Sequence, residues 1–152
     1  MGAHTYIRNY VHIIFSTKER ERYLTSPEIR GRLWAYINGI AKHNGYPAIV
    51  TNGYEEHCHT LMEIPATVMI YKAVQKIKGV SSKWISETYP ELKAFAWQEG
   101  YAAYSVSASQ VKRVVEYIER QEEHHRRKSF QEEYVEFLKA NNIEYDERYV
   151  FG

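Results

Sequence analysis

Apolar and polar positions change period several times along this 152-residue chain, and each change marks an element. Residues 5–16, Thr-Tyr-Ile-Arg-Asn-Tyr-Val-His-Ile-Ile-Phe-Ser, are β-branched and aromatic and predict a first strand. A charged loop, Lys18-Glu19-Arg20-Glu21-Arg22, follows it. Ser26-Pro27-Glu28 predicts a helix start: a capping hydroxyl, Pro at the first position and an acid near the positive dipole end. Ile29, Leu33, Tyr36, Ile37 and Ile40 then share one helical face, and Asn44-Gly45 is the stop signal. Residues 47–51 predict a second strand, with Asn52-Gly53 as the tight turn into a third. Pro65 ends that third strand. A second helix spans about 67–88, with Val68, Tyr71, Val74, Ile77 and Val80 or Ser81 inward and Lys72, Lys76 and Lys83 outward. Residues 94–97 and 101–106 predict two short strands around Gly100. Ser107 to Gln110 reads as a capping box opening a third helix, about 108–127. Ser129 to Glu132 reads as a second box, opening a fourth helix to Ala140 with Phe130, Tyr134, Phe137 and Leu138 apolar. Residues 141–152 form an irregular acidic end.

This order predicts an α+β fold: a ferredoxin-like antiparallel sheet of four or five strands with the first two helices on one face. The last two helices then belong on the other face, at the edge, or on a second subunit. The length fits one domain over residues 1–152, enough to bury about two thirds of the unfolded surface. A hydrophobic content of 44% and a charged content of 26% are ordinary for a globular protein. The sequence has no apolar run able to span a bilayer and no signal-peptide pattern, since His4, Arg8 and His12 interrupt the apolar start. A lone Cys58 excludes an internal disulfide framework, and with the preceding points predicts a cytoplasmic protein. Net charge is +1, with a mildly basic body and an acidic stretch after Lys128. That balance does not by itself point to nucleic acid. The 14 tyrosines could include stacking platforms for bases, but most of them read as core and interface residues.

Candidate chemistry starts at His57-Cys58-His59. On a strand, the two imidazoles share one face and Cys58 takes the other, as a small core residue. Two imidazoles side by side are half of a metal site, although two half-buried histidines with no ion would read the same way. Tyr117 and Gln121 lie four apart on one face of the third helix. Docked over the histidines, they would add an amide oxygen and a phenol. Two nitrogens, one oxygen and open positions suit Mn²⁺ or Mg²⁺ in phosphate chemistry, and the lack of thiolates argues against structural zinc. His124 and His125 diverge by about 100° on a helix and cannot both reach one ion. With Arg126, Arg127 and Lys128 they read as a basic helix end, with a phosphate-binding role as the sharper alternative.

The ordered combination of motifs is more specific than any one of them. It runs from Phe15-Ser16-Thr17-Lys18, through His57-Cys58-His59 and Pro65, to Lys76-Ile77-Lys78-Gly79-Val80-Ser81-Ser82-Lys83-Trp84. Trp97-Gln98, Gly100-Tyr101 and Ser105-Val106-Ser107 follow, then Tyr117 to His125, Ser129-Phe130 and Glu144 to Tyr149. Over nearly its whole length the chain resembles the HUH single-tyrosine transposases of small insertion sequences, the TnpA-type enzymes, and their REP-associated relatives. Cys58 stands where that motif usually has a bulkier apolar residue.

The resemblance implies that His57, His59 and Gln121 hold a divalent metal, Mg²⁺ or Mn²⁺, and that Tyr117 is the nucleophile. It implies nicking and rejoining of single-stranded DNA with hairpin ends through a 5′-phosphotyrosine, and a homodimer in which the tyrosine helix of one subunit can complete the site of the other. Plausible phosphate contacts are Arg20, Arg22, Lys72, Lys76, Lys78 and Lys83, each equally readable as an exposed cation. Two alternatives stay open: a domesticated REP-associated hairpin endonuclease, and a non-catalytic ferredoxin-like nucleic-acid-binding module.

Overall fold

In a computed structural model describing residues 4–151, β1 (Tyr10–Ser16) and β3 (His57–Glu63) lie side by side at the centre of a four-stranded antiparallel sheet. β2 (Ala48–Tyr54) flanks β3 and β4 (Ala102–Val106) flanks β1, giving the order β2-β3-β1-β4. Both central strands are buried on both faces, so helices must cover the sheet on each side. α1 (Pro27–His43) and α2 (Ile70–Thr88) cover one face. Val11, Ile13, Phe15, Cys58 and Met62 point to it and pack with Leu33, Ile37, Val74 and Ile77. α3 (Val111–Glu119), α4 (Gln121–His124) and α5 (Phe130–Ala140) cover the other. The C-terminal helices therefore sit over the free sheet face of their own chain.

Local signals set most of the boundaries. Ser26 Oγ accepts from the Ile29 amide at the start of α1. The helix ends at Asn44, followed by Gly45 at φ 82°, where a side chain would be strained. At α5 the Ser129 hydroxyl accepts from the Glu132 amide while the Glu132 carboxylate accepts from the Ser129 amide.

Other expectations fail for reasons of tertiary contact. Asn52 and Gly53 are inside β2, paired with His59 and Cys58, and the turn is made by Glu55 and Glu56 instead. Gly53 serves a close approach: a Cβ there would run into the His57 carbonyl oxygen. Residues 94–97 form no strand; Thr17 and Trp97 make one isolated bridge. The apolar alternation at Phe95 and Trp97 arises because both rings pack edge-on in the core, Trp97 against Phe15 as well. Among the described residues the sheet thus has four strands. α2 starts at Ile70, and Tyr71 is exposed while Ala73 and Ser81 are inward. Ser107 makes no cap; its hydroxyl meets that of Ser109, and residues 108–110 form a 3₁₀ turn before α3. The helix expected over 108–127 breaks at Arg120 (φ −98°, ψ 20°). Among the described residues, no helix is long and apolar enough to cross a membrane.

Candidate metal and tyrosine site

β3 alternation puts His57 and His59 on the face opposite α1 and α2, both fully buried. β1 adds a third imidazole from the same face, because His12 lies diagonal to His59 across the β1–β3 register. His12 Nε2 and His59 Nδ1 are 2.8 Å apart. At the sheet end His57 Nδ1 donates to Glu56 Oε1 at 2.6 Å, and the Phe130 ring stacks on the imidazole with centroids 4.6 Å apart.

The break at Arg120 turns Gln121 inward, fully buried. Its Oε1 lies 3.0 Å from His57 Nε2 and 2.9 Å from His125 Nε2. Just past α4, His125 turns its Nδ1 to the Lys128 carbonyl at 2.8 Å. A carbonyl can only accept, so that nitrogen carries the proton, and in the neutral ring Nε2 presents a lone pair. The same reasoning applies at His57, whose Nδ1–H faces a carboxylate, and at His59 when Nδ1 donates to His12. Three imidazole Nε2 atoms then converge with lone pairs inward. They face two acceptor oxygens, Gln121 Oε1 and Glu133 Oε1.

Glu133 comes from α5. Its Oε1 is 3.0 Å from His59 Nε2, 3.3 Å from His125 Nε2 and 3.8 Å from His57 Nε2. One ligand atom from each of His57, His59, His125 and Glu133 fits within a 4.8 Å cluster. Lone pairs facing a carboxylate repel unless a cation stands among them, so this donor set fits a divalent ion. Nitrogen and hard oxygen donors without thiolate differ from the cysteine-based sets of many structural zinc sites.

With no ion present the imidazoles can compensate Glu133 by taking up protons themselves: burial alone would raise its pKa, but the charge of His59 and hydrogen bonds from His125 and His59 then hold it far below the usual carboxylate range. Burial lowers the pKa of His59 and, together with His59, that of His12. Glu56 overcomes its own burial through the His57 hydrogen bond and is lowered.

The Tyr117 hydroxyl donates to Glu133 Oε2 and lies 3.2 Å from His124 Nε2. Burial, then the Glu133 charge beside it, push this phenol well above its ordinary pKa. Outside it a cavity of about 550 Å³ carries Arg113, Arg120, Arg127 and Lys128 on its walls, with Glu116 and Glu123. Tyr117, Gln121, His57 and His59 thus meet within one chain.

The reading of His124 and His125 as a basic helix end is corrected: both imidazoles face the site, one on each oxygen of Glu133. Sequence reasoning also missed His12, Glu56 and Glu133. A signal for Glu133 exists, because 130, 133, 134, 137 and 138 form one apolar helical stripe with a single acid in it.

The expected phosphate contacts lie elsewhere. α2 and its lysines are on the far sheet face, with Lys72 and Lys76 beside Tyr46 and Val68, and Lys83 exposed. Lys78 donates to the carbonyls of Gln98 (2.5 Å), Glu99 (3.2 Å) and Gly100 (2.9 Å), and its burial brings its pKa down to about 8. Arg22 is 3.7 Å from Glu55, and Arg20 lies over the Phe151 ring. Cys58 is a buried core residue on the α1–α2 face, its thiol pKa raised by burial.

The model of IS200-like transposases matches residues 5–121. The ISDra2 transposase TnpA of Deinococcus radiodurans is 28% identical over 115 residues, 72% of this chain and 81% of that protein. The crystal structure of a Deinococcus radiodurans protein described as a transposase has a TM-score of 0.66 at 25% identity, covering 80% of this chain and 96% of that one. A REP-associated tyrosine transposase, solved bound to a REP hairpin, shares the fold with a TM-score of 0.58 at 16% identity, over 82% of this chain and 73% of that one.

Proposed function

Because this chain belongs to the IS200-like transposase family, enzymes of DNA transposition, we propose that it nicks and rejoins single-stranded DNA with Tyr117 as nucleophile. One observation carries this reading. Tyr117 presents its hydroxyl to Glu133, whose other oxygen faces the converging Nε2 atoms of His57, His59 and His125. His57, His59 and Gln121 hold Mg²⁺ or Mn²⁺ in this proposal. When bound, the ion polarises the scissile phosphate and offsets the charge that builds on its oxygens.

The residues divide the remaining work. Glu56 and His12 fix the tautomers and ring orientations of His57 and His59. The cations Arg113, Arg120 and Arg127 draw the phosphate backbone into the cavity outside Tyr117. In cleavage the Tyr117 oxygen forms a bond to phosphorus and its proton passes to His124 Nε2, 3.2 Å away. The bond from phosphorus to the 3′ oxygen of the preceding nucleotide breaks, and that oxygen takes a proton and leaves as a 3′-hydroxyl. Rejoining is the reverse, with a 3′-hydroxyl attacking the phosphotyrosine and restoring the phenol. The bond energy is held in the link, so no nucleotide cofactor is needed. In this reading the site is built within one chain, and a homodimer would hold two DNA ends together.

The test uses a pool of DNA hairpins with randomised single-stranded flanks, incubated with the protein and Mn²⁺ or Mg²⁺ and run on a denaturing gel. We expect a covalent protein–DNA band that is lost with chelator and in Tyr117→Phe. A band that persists in Tyr117→Phe overturns the assignment of the nucleophile.

A further inference from the structure

Glu133 has no part in the reaction as proposed, yet it occupies the middle of the site. It lies beyond residues 5–121, the segment matched by the family model. Its position is built in rather than accidental. The capping box at Ser129 fixes the start of α5. Phe130, Tyr134 and Leu138 on the same stripe pack against Ile14, Ala102 and Tyr104 of the sheet. The carboxylate between them is 1% exposed. Burying a carboxylate there is costly unless a cation compensates it.

The two oxygens of Glu133 do different things. Oε1 faces the converging Nε2 atoms of His59, His125 and His57. Oε2 faces the Tyr117 hydroxyl and His124. The carboxylate therefore bridges the cation-binding cluster and the nucleophile. A scissile phosphate has the same requirement, with one oxygen toward the cluster and phosphorus next to Tyr117. Both groups are anionic and cannot share that space.

We propose that Glu133, with His125, is a metal ligand of the DNA-free protein, and that a DNA phosphate takes its place when strand and protein combine. This rests on the reading of the histidine cluster as a metal centre. The anionic ligand holds the ion in place between encounters with DNA. It also keeps the Tyr117 hydroxyl engaged until a phosphate arrives.

The experiment is a calorimetric titration of the full chain with Mn²⁺, in the absence of DNA and in the presence of a hairpin recovered from the randomised pool. Wild type, Glu133→Gln, His125→Ala and His57→Ala are compared, with Tyr117→Phe in each to prevent cleavage. Without DNA, Glu133→Gln and His125→Ala should each weaken Mn²⁺ binding at least about tenfold. With DNA bound, the Glu133→Gln deficit should shrink to within about twofold. Glu133→Gln binding Mn²⁺ like wild type, while His57→Ala does not, overturns the inference and leaves the metal centre standing. An equal Glu133→Gln deficit with and without DNA overturns the exchange. His57→Ala binding as tightly as wild type removes the metal centre itself. Should Glu133→Gln fail to fold in a thermal melt, Glu133→Asp keeps the charge but withdraws it by one methylene. It should show a DNA-free deficit that DNA relieves, and wild-type affinity without DNA counts against the inference.

Discussion

The side-chain amide of Asn52 in β2 donates to the carbonyls of Ile118 (3.0 Å) and Glu119 (3.2 Å), the last two residues of α3. These are helix-end carbonyls, which have no intrahelical partner of their own. The bond ties the sheet to the helix just before the break at Arg120, and so fixes how Tyr117 and Gln121 present themselves. Residues 52 and 53 are where the sequence suggests a turn, and the structure uses both to hold the site.

Asn52→Ala should therefore cost about 1 kcal/mol of stability. Its larger effect should be on chemistry, with slower formation of the covalent DNA band and Mn²⁺ affinity kept within about threefold. A band forming at the wild-type rate in a time course would show that this tie does not position Tyr117.

Gly53→Ala should be worse for the fold than its size suggests. The new methyl meets the backbone carbonyl of His57, which cannot rotate away as a side-chain end would. A loss toward the upper end of roughly 1–3 kcal/mol is expected by urea denaturation, because the β2–β3 ladder must separate. Since His57 is the residue displaced, Mn²⁺ binding should fall as well. A stability equal to wild type would mean that the strands part at little cost.

His12→Phe keeps a ring against Tyr104 and Phe137 but removes the nitrogen that faces His59 Nδ1. Losing such an outer partner typically weakens metal binding about 10–100-fold. We expect a Mn²⁺ affinity lowered in that range with the near-ultraviolet circular dichroism spectrum retained. Unchanged affinity would remove His12 from the site.

Stability of the metal-free protein should decline in mild acid. Burial lowers the pKa values of His12 and His59 in the folded chain. Unfolded histidine titrates near 6.5, so below that pH the unfolded state binds protons that the folded state refuses. Stability from these two groups is present above about pH 6.5 and is lost as pH falls through it, by about 1.4 kcal/mol per pH unit for each proton of difference. Glu56 and Glu133, whose pKa values are depressed, lose their contribution only at lower pH, below the ordinary carboxylate value of about 4.3. Urea midpoints at pH 7.5 and 5.5 test this, and His12→Phe should flatten the difference. A profile flat between those pH values in the wild type would contradict it.

The sequence by itself determined what local rules encode. Period-two alternation put His57 and His59 on one face and Cys58 on the other, as β3 shows. Ser26, Asn44-Gly45 and the Ser129 box bounded α1 and the start of α5, because those signals act within a few residues. Element order was enough for the ferredoxin-like sheet with its two helices on one face. Only tertiary structure decided the rest. Asn52-Gly53 reads as a turn until β3 is alongside, and Phe95 and Trp97 alternate like a strand while packing as loop residues. Tyr117 and Gln121 share a face on paper, but it is the break at Arg120 and the tie from Asn52 that place them. Glu133 is one acid among many in an acidic stretch, and only the docking of α5 on the β1–β4 side of the sheet makes it the centre of a cluster of imidazoles. The physical reason is range. Hydrogen bonds and periodicity along the chain are written in neighbouring residues, whereas the convergence of His12, His57, His59, His125 and Glu133 depends on segments more than a hundred residues apart packing on the same sheet face.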